Sequence, residues 1–320
     1  MLKGTGGTFM KNKKLYPPLK LIQDMEKMYP NALNLYEQKL QNRNDDELDF
    51  DIASDIGFQF FPKPHMRENA EVCALLLTIM GEWRKSKQVY SFSKELSEMI
   101  CDTEEFHVDA NLFKYLPYPC FYLESNGGDN IHGVFVKYLN DAANHHLIFL
   151  LLCNDGTFCY NIFDLEGATS FYETVLKYVN EFLEPEYREL LKKYIILGFQ
   201  ASMYLCASNC DVKENPVQQK IYRPSTSVKN KFSEIRKWDV GYRMTQELKK
   251  VTPRHPSVAS ALDSKEQKVR NRPRQHWRKA HWHTYWVGKG RQKKELRFIA
   301  PILVNDIDDD LPIVDHLTTN

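Results

Sequence analysis

The segment CFYLESNGGDNIHGVFVKYLNDAANHHLIFLLLCNDGTFCYNIF, residues 120–163, decides the fold. It holds four runs rich in aromatic and branched side chains: CFYL (120–123), IHGVFVKY (131–138), HLIFLLLC (146–153) and TFCYNIF (157–163). Between them lie NGGDN, NDAAN and NDG, whose residues favour tight turns. This pattern predicts an antiparallel meander of about four strands. HLIFLLLC does not alternate polar with apolar, so it reads as a central strand covered on both faces.

Helical periodicity flanks this meander. Downstream, Ser170 and Glu173 form a capping-box pattern, with Tyr172, Leu176, Val179 and Leu183 on one helical face. A second helix is expected from Pro185 to about Ala207. Two helices directly after a meander would cover one face of its sheet. Upstream, short helices are expected over residues 18–50, and FPKPH (61–65) breaks any helix there. ENAEVCALLLTIM (68–80) spaces Val72, Leu75, Leu76 and Ile79 for one helix face, and SFSKELSEMI (91–100) predicts another helix. The fold class is therefore α+β: an antiparallel β meander covered by helices, with an N-terminal helical part and a basic, β-rich C-terminal segment.

The expected organisation is a helical region over 1–65 and a helical plus meander core over 66–210. A linker-rich connection over 211–267, a basic aromatic segment over 268–305 and an acidic tail over 306–320 follow. WDVGYRMTQELKK (238–250) reads as a short strand or helix entry within the connection.

Composition narrows the class. The 320 residues are 42% hydrophobic, 12% aromatic and 27% charged, values of an ordinary folded chain rather than a disordered or fibrous one. The longest apolar run, Leu147–Cys153, falls far short of the roughly 20 residues that span hydrocarbon, so no membrane partner is expected. No secretory signal pattern is present, and the seven cysteines form no CxxC pair. A reducing, cytoplasmic setting follows. Cys206 and Cys210 read as buried thiols. Phosphate-loop, dinucleotide, HExxH and GxSxG signatures are missing, so no small-molecule cofactor and no metal are expected.

The charge is segregated. The whole chain carries +1, yet RNRPRQHWRKAHWHTYWVGKGRQKKELR (270–297) holds ten cations against the single acid Glu295. Three tryptophans, Tyr285 and three histidines are interleaved with those cations. Arginine and lysine neutralise phosphates, and exposed aromatic rings offer unstacked bases a platform. This combination points to single-stranded nucleic acid. The candidate RNA- or partner-binding residues are His276, Arg278, Lys279, His281, Trp282, His283, Tyr285, Trp286, Lys289, Arg291 and Arg297. If HWHTYW is extended, His281, His283 and Tyr285 share one side, with Trp282, Thr284 and Trp286 on the other. A bland alternative keeps the segment as core, docked on the acidic remainder of the chain.

HWRKAHWHTYWVGKG (276–290), followed by RFIAPILVN (297–305), resembles the C-terminal signature of the family containing the type V-A anti-CRISPR protein that lowers production of the Cas12-type nuclease. GEWRKSKQVY (81–90), LPYPCFY (116–122) and WDVGYR (238–243) are similar to motifs in the same order in that family. The resemblance implies action during translation: recognition of a nascent polypeptide and loss of the mRNA being translated, in the cytoplasm of a bacterial host. The implied partners are mRNA or the ribosome and the nascent chain of a target. The chain then reads first as a non-catalytic adaptor. The alternatives are a ribosome-dependent endoribonuclease using His281 and His283, and a structural protein-interaction module.

Overall fold

A computed structural model describes residues 16–44, 48–103, 110–125, 130–141, 144–165, 175, 185–215, 235–251 and 276–304. The chain opens with α1 (Pro17–Met28), α2 (Ala32–Gln41), α3 (Asp49–Phe60) and the long α4 (Arg67–Ser86). Strand β1 (Gln88–Phe92) and α5 (Lys94–Cys101) follow. The meander is β2 (Cys120–Glu124), β3 (Ile131–Asp141), β4 (Asn144–Cys153) and β5 (Phe158–Asp164). After α6 (Pro185–Cys206) come β6 (Val212–Asn215), β7 (Arg236–Val240) and α7 (Tyr242–Val251). Four short strands close the described chain: β8 (His276–Arg278), β9 (His281–Val287), β10 (Lys293–Ile299) and β11 (Ile302–Val304).

The α+β class and the four-stranded antiparallel meander stand as expected. The sheet is larger than the meander, with seven strands in the order β5-β4-β3-β2-β1-β7-β6. β1 lies parallel to both β2 and β7, and β6 pairs antiparallel with β7. Two of these added strands come from the stretch expected as a linker-rich connection, and of them only β7 overlaps the short strand or helix entry read at WDVGYR. Each has four or five residues, too few for periodicity to distinguish from a loop.

Both faces of β4 are buried. Leu147, Phe149 and Leu151 join Tyr194, Ile195 and Phe199 of α6 in one core. Ile148, Leu150 and Leu152 join Met25, Tyr36, Ile56, Leu76 and Trp83 of the N-terminal helices in the other. Each such side chain removed from water contributes about 1.5–3 kcal/mol. The sheet is thus the middle of three layers, and the N-terminal helices are its second cover. The capping-box helix expected from Ser170 lies outside the described residues.

Helix α4 runs through Gly81 rather than stopping there. A Cβ at that position would stand 2.7 Å from the buried ring of Tyr36, so the glycine permits close approach of α2. Trp83 then donates its indole N–H to the Gln88 carbonyl at 2.9 Å, and Arg84 donates to the Leu33 carbonyl at 3.0 Å and to Glu37 at 2.6 Å. Ser93 caps α5 by accepting the Leu96 N–H at 3.2 Å, which moves the helix start past the expected Ser91.

WDVGYR is a joint rather than a site. Trp238 donates its indole N–H to Gln88 at 2.6 Å and stacks with Tyr90. The Asp211 carboxylate accepts the backbone N–H groups of Arg243 and Met244 at the first turn of α7. Between them Gly241 takes φ +79°, and a Cβ there would stand 2.4 Å from Leu96. Gly241→Ala is expected to lower unfolding free energy by about 2–4 kcal/mol, because positive φ and overpacking act in the same direction. Urea unfolding of the two proteins checks this.

Candidate nucleic-acid interface

Strands β9 and β10 form an antiparallel hairpin with His283 opposite Arg297, Tyr285 opposite Glu295 and Trp286 opposite Lys294. Its root is held by the turn after α6. The Asn209 side-chain amide donates to the Phe298 carbonyl at 2.7 Å and accepts the Phe298 N–H at 3.0 Å, reading both backbone groups as a neighbouring strand would. The Ser208 N–H donates to the Leu296 carbonyl at 2.9 Å. Leu296 and Phe298 drop into the core beside Tyr204.

Trp282 goes with them. It is only 6% exposed, packs edge-on against Phe298 with centroids 4.9 Å apart, and donates its indole N–H to Gln200 of α6 at 2.7 Å. Its assignment to an outer binding surface is therefore corrected. The indole is an anchor, drawn inward because it shares a hairpin face with Leu296 and Phe298. Trp286 lies on the same face two pairs further out, past the edge of the core, and is 54% exposed.

The opposite face carries the expected group of His281, His283 and Tyr285, joined by Arg297 and Glu295 from β10. The His283 and Tyr285 rings lie 4.3 Å apart, and the Arg297 guanidinium sits over Tyr285 at 5.3 Å. His281 has its Nδ1 3.1 Å from the Lys279 carbonyl. Tyr285 is 38% exposed and His283 is exposed, so two aromatic rings and a guanidinium are presented together.

Beyond them the hairpin turns with Gly288 at φ +83°, Gly290 at φ +76° and Arg291 at φ +52°. The Arg291 N–H closes the turn on the Gly288 carbonyl at 3.0 Å. Lys289 and Arg291 ride at the tip and are exposed, as are Arg278 and Lys279 before β9. Among the described residues no carboxylate pairs with any of these four. Glu295 meets Lys293 at 3.3 Å and Arg297 at 3.6 Å, so among the described residues a single acid serves that face. His276 and Arg278 belong to β8, which pairs with β11 as a separate two-stranded ribbon.

Residue type and spacing do not mark Lys294, Gln200, Ser208 or Asn209. Lys294 sits over the Trp286 ring at 5.0 Å, making a cation–aromatic tip on the Trp286 side. Its signal was the KK run opposite HWHTYW, legible only once the hairpin register is known. Gln200 from α6, and Ser208 and Asn209 from the turn after it, orient the hairpin with no local pattern to mark them.

Other chemistry is quiet. Burial pushes the Cys101, Cys120 and Cys210 thiols up to about 12 and raises Cys206 as well, so these thiols stay protonated near neutrality. Among the described residues no group of His, Cys, Asp and Glu is arranged to hold a metal, and no helix is long and apolar enough to cross a membrane.

Residues 90–306 match the model of the AcrVA2-like family, Anti-CRISPR type V subtype A2, and the chain belongs to that family. It is also similar in fold to a solved structure titled "Crystal structure of AcrVA2", at a TM-score of 0.56 and 18% identity. That match covers 91% of this chain and all of the solved one. No curated protein matches the sequence. Family membership supports an anti-CRISPR role.

The two neighbouring tryptophans should behave oppositely. Trp282→Ala is expected to cost about 3–5 kcal/mol of stability through the cavity and the orphaned Gln200. Trp286→Ala should stay within about 0.5 kcal/mol. Chemical denaturation of both variants checks the assignment.

Proposed function

We propose that this protein lowers expression of a target gene by acting on its mRNA during translation. In this reading the body contacts the nascent polypeptide, and the C-terminal hairpin contacts mRNA or ribosomal RNA in the bacterial cytoplasm. One observation carries the RNA contact: Lys289 and Arg291 at the tip, beyond the exposed rings of Tyr285 and Trp286, and Arg278 and Lys279 before β9 are all exposed without a described carboxylate partner. Cations attract phosphate and release its counterions, and the rings accept bases by stacking. Trp282 contributes by fixing the hairpin, not by touching RNA. The histidines serve as hydrogen-bonding and stacking groups, and host nucleases destroy the transcript.

Binding of single-stranded RNA should weaken steeply with salt. Changing Arg278, Lys279 and Arg291 together to Glu should reduce the slope of log affinity on log salt by about 2, from roughly 0.7 per lost phosphate contact. Fluorescence titration over a salt series measures it, and an unchanged slope overturns the hairpin assignment. His281→Ala and His283→Ala should weaken RNA binding and target mRNA loss together. Loss of transcript cleavage with RNA binding intact would instead favour the endoribonuclease.

A further inference from the structure

The far edge of the seven-stranded sheet is β5, FCYNIFD, paired on one side only with β4. Its register places Tyr160 opposite Leu150 and Ile162 opposite Ile148. The pairing continues at both ends through Cys153 N–H to the Thr157 carbonyl at 2.8 Å and Leu165 N–H to the His145 carbonyl at 2.8 Å. Those bonded pairs fix the phase of the ladder: Cys159, Asn161 and Phe163 exchange hydrogen bonds with β4. Phe158, Tyr160 and Ile162 therefore aim their N–H and C=O groups away from the sheet. Among the described residues nothing pairs with the outward groups of Tyr160 or Ile162.

The same alternate residues carry the exposed side chains. Ile162 is 45% exposed and Tyr160 36%, on the face where Ile148 and Leu150 are fully covered by the N-terminal helices. That helical layer reaches Phe158 of the outer strand but leaves Tyr160 and Ile162 open. His146, on the same face opposite Asp164, has its Nδ1 buried with no hydrogen-bond partner among the described residues. The strand also lacks the usual protections of an edge: no lysine, no proline, no register shift against β4. Its only formal charge is the negative Asp164.

We infer that β5 is a strand-addition site that takes an extended segment of a partner polypeptide, uncharged or basic, with apolar side chains at alternate positions. The outward backbone groups supply affinity, and the Tyr160–Ile162 strip selects the side chains. A linear segment fits better than a second folded copy. Seven residues of strand cannot supply the roughly 1,200 Å² of a stable protein–protein interface, whereas they span the contacts of one peptide strand. The site gives the polypeptide contact proposed above a location and rests on that reading only for the partner's identity.

The test uses the full chain and a display library of short random linear peptides. Recovered peptides should alternate apolar residues and slow amide exchange at Tyr160 and Ile162. They should also lose at least about tenfold in affinity to Ile162→Pro. That substitution removes an outward N–H and no bond to β4, and circular dichroism confirms the fold. Ile162→Lys, which keeps the N–H, should weaken binding of basic peptides more than of neutral ones. Failure to recover peptides, binding indifferent to Ile162→Pro, or protection of those two amides through self-association overturns the inference. If peptides bind at β5 but Ile162→Pro leaves target mRNA loss in cells unchanged, the site stands and the nascent-chain reading falls.

Discussion

Everything in this fold depends on β4 being wet on neither face. Leu147–Leu152 alternate between two cores, so the strand demands a helical layer on each side of the sheet. The N-terminal helices supply one and α6 the other. That demand explains why α1–α4 bury Met25, Tyr36, Ile56 and Leu76 completely. It also explains why α6 is apolar on several sides toward its end. It must cover the sheet and, through Gln200 and Tyr204, receive Trp282 and Phe298 from the hairpin.

The hairpin divides into a root and a tip with different physics. At the root, Asn209 and Ser208 replace a missing strand neighbour, and Trp282 converts one tryptophan of a basic motif into an anchor. At the tip, the same strand face leaves the core and Trp286 emerges under Lys294. A motif dense in cations and indoles is therefore both structural and surface-forming. The border falls between residues two positions apart on one face.

What the sequence made legible follows from element length and periodicity. Four strands of five to eleven residues with turn residues between them were readable, as were the period of two in HWHTYW and the long apolar α6. The added strands β1 and β6 were not, because a run of four or five residues carries no period, and β7 was readable only as the short strand or helix entry at WDVGYR. Neither was the inward turn of Trp282: alternation assigns it a face, but which end of that face meets the core depends on Leu296, Phe298 and α6, distant in sequence. The stretches GEWRKSKQVY and WDVGYR proved to hold joints. Gly81 admits Tyr36, Arg84 ties α4 to Leu33 and Glu37, and Gly241 turns the chain between β7 and α7.

The central parallel strand has a kinetic consequence. β1 must take β2 on one side and, from the other side of the whole meander in sequence, β7, with Val89 facing both Tyr122 and Lys237. Lys237 also reaches across to Glu124, clasping the two outer strands over β1. Such long loop closures slow folding. On the ribosome β1 emerges early but waits for its second neighbour while residues 93–235 are made, so its flank needs shelter through that whole stretch of synthesis.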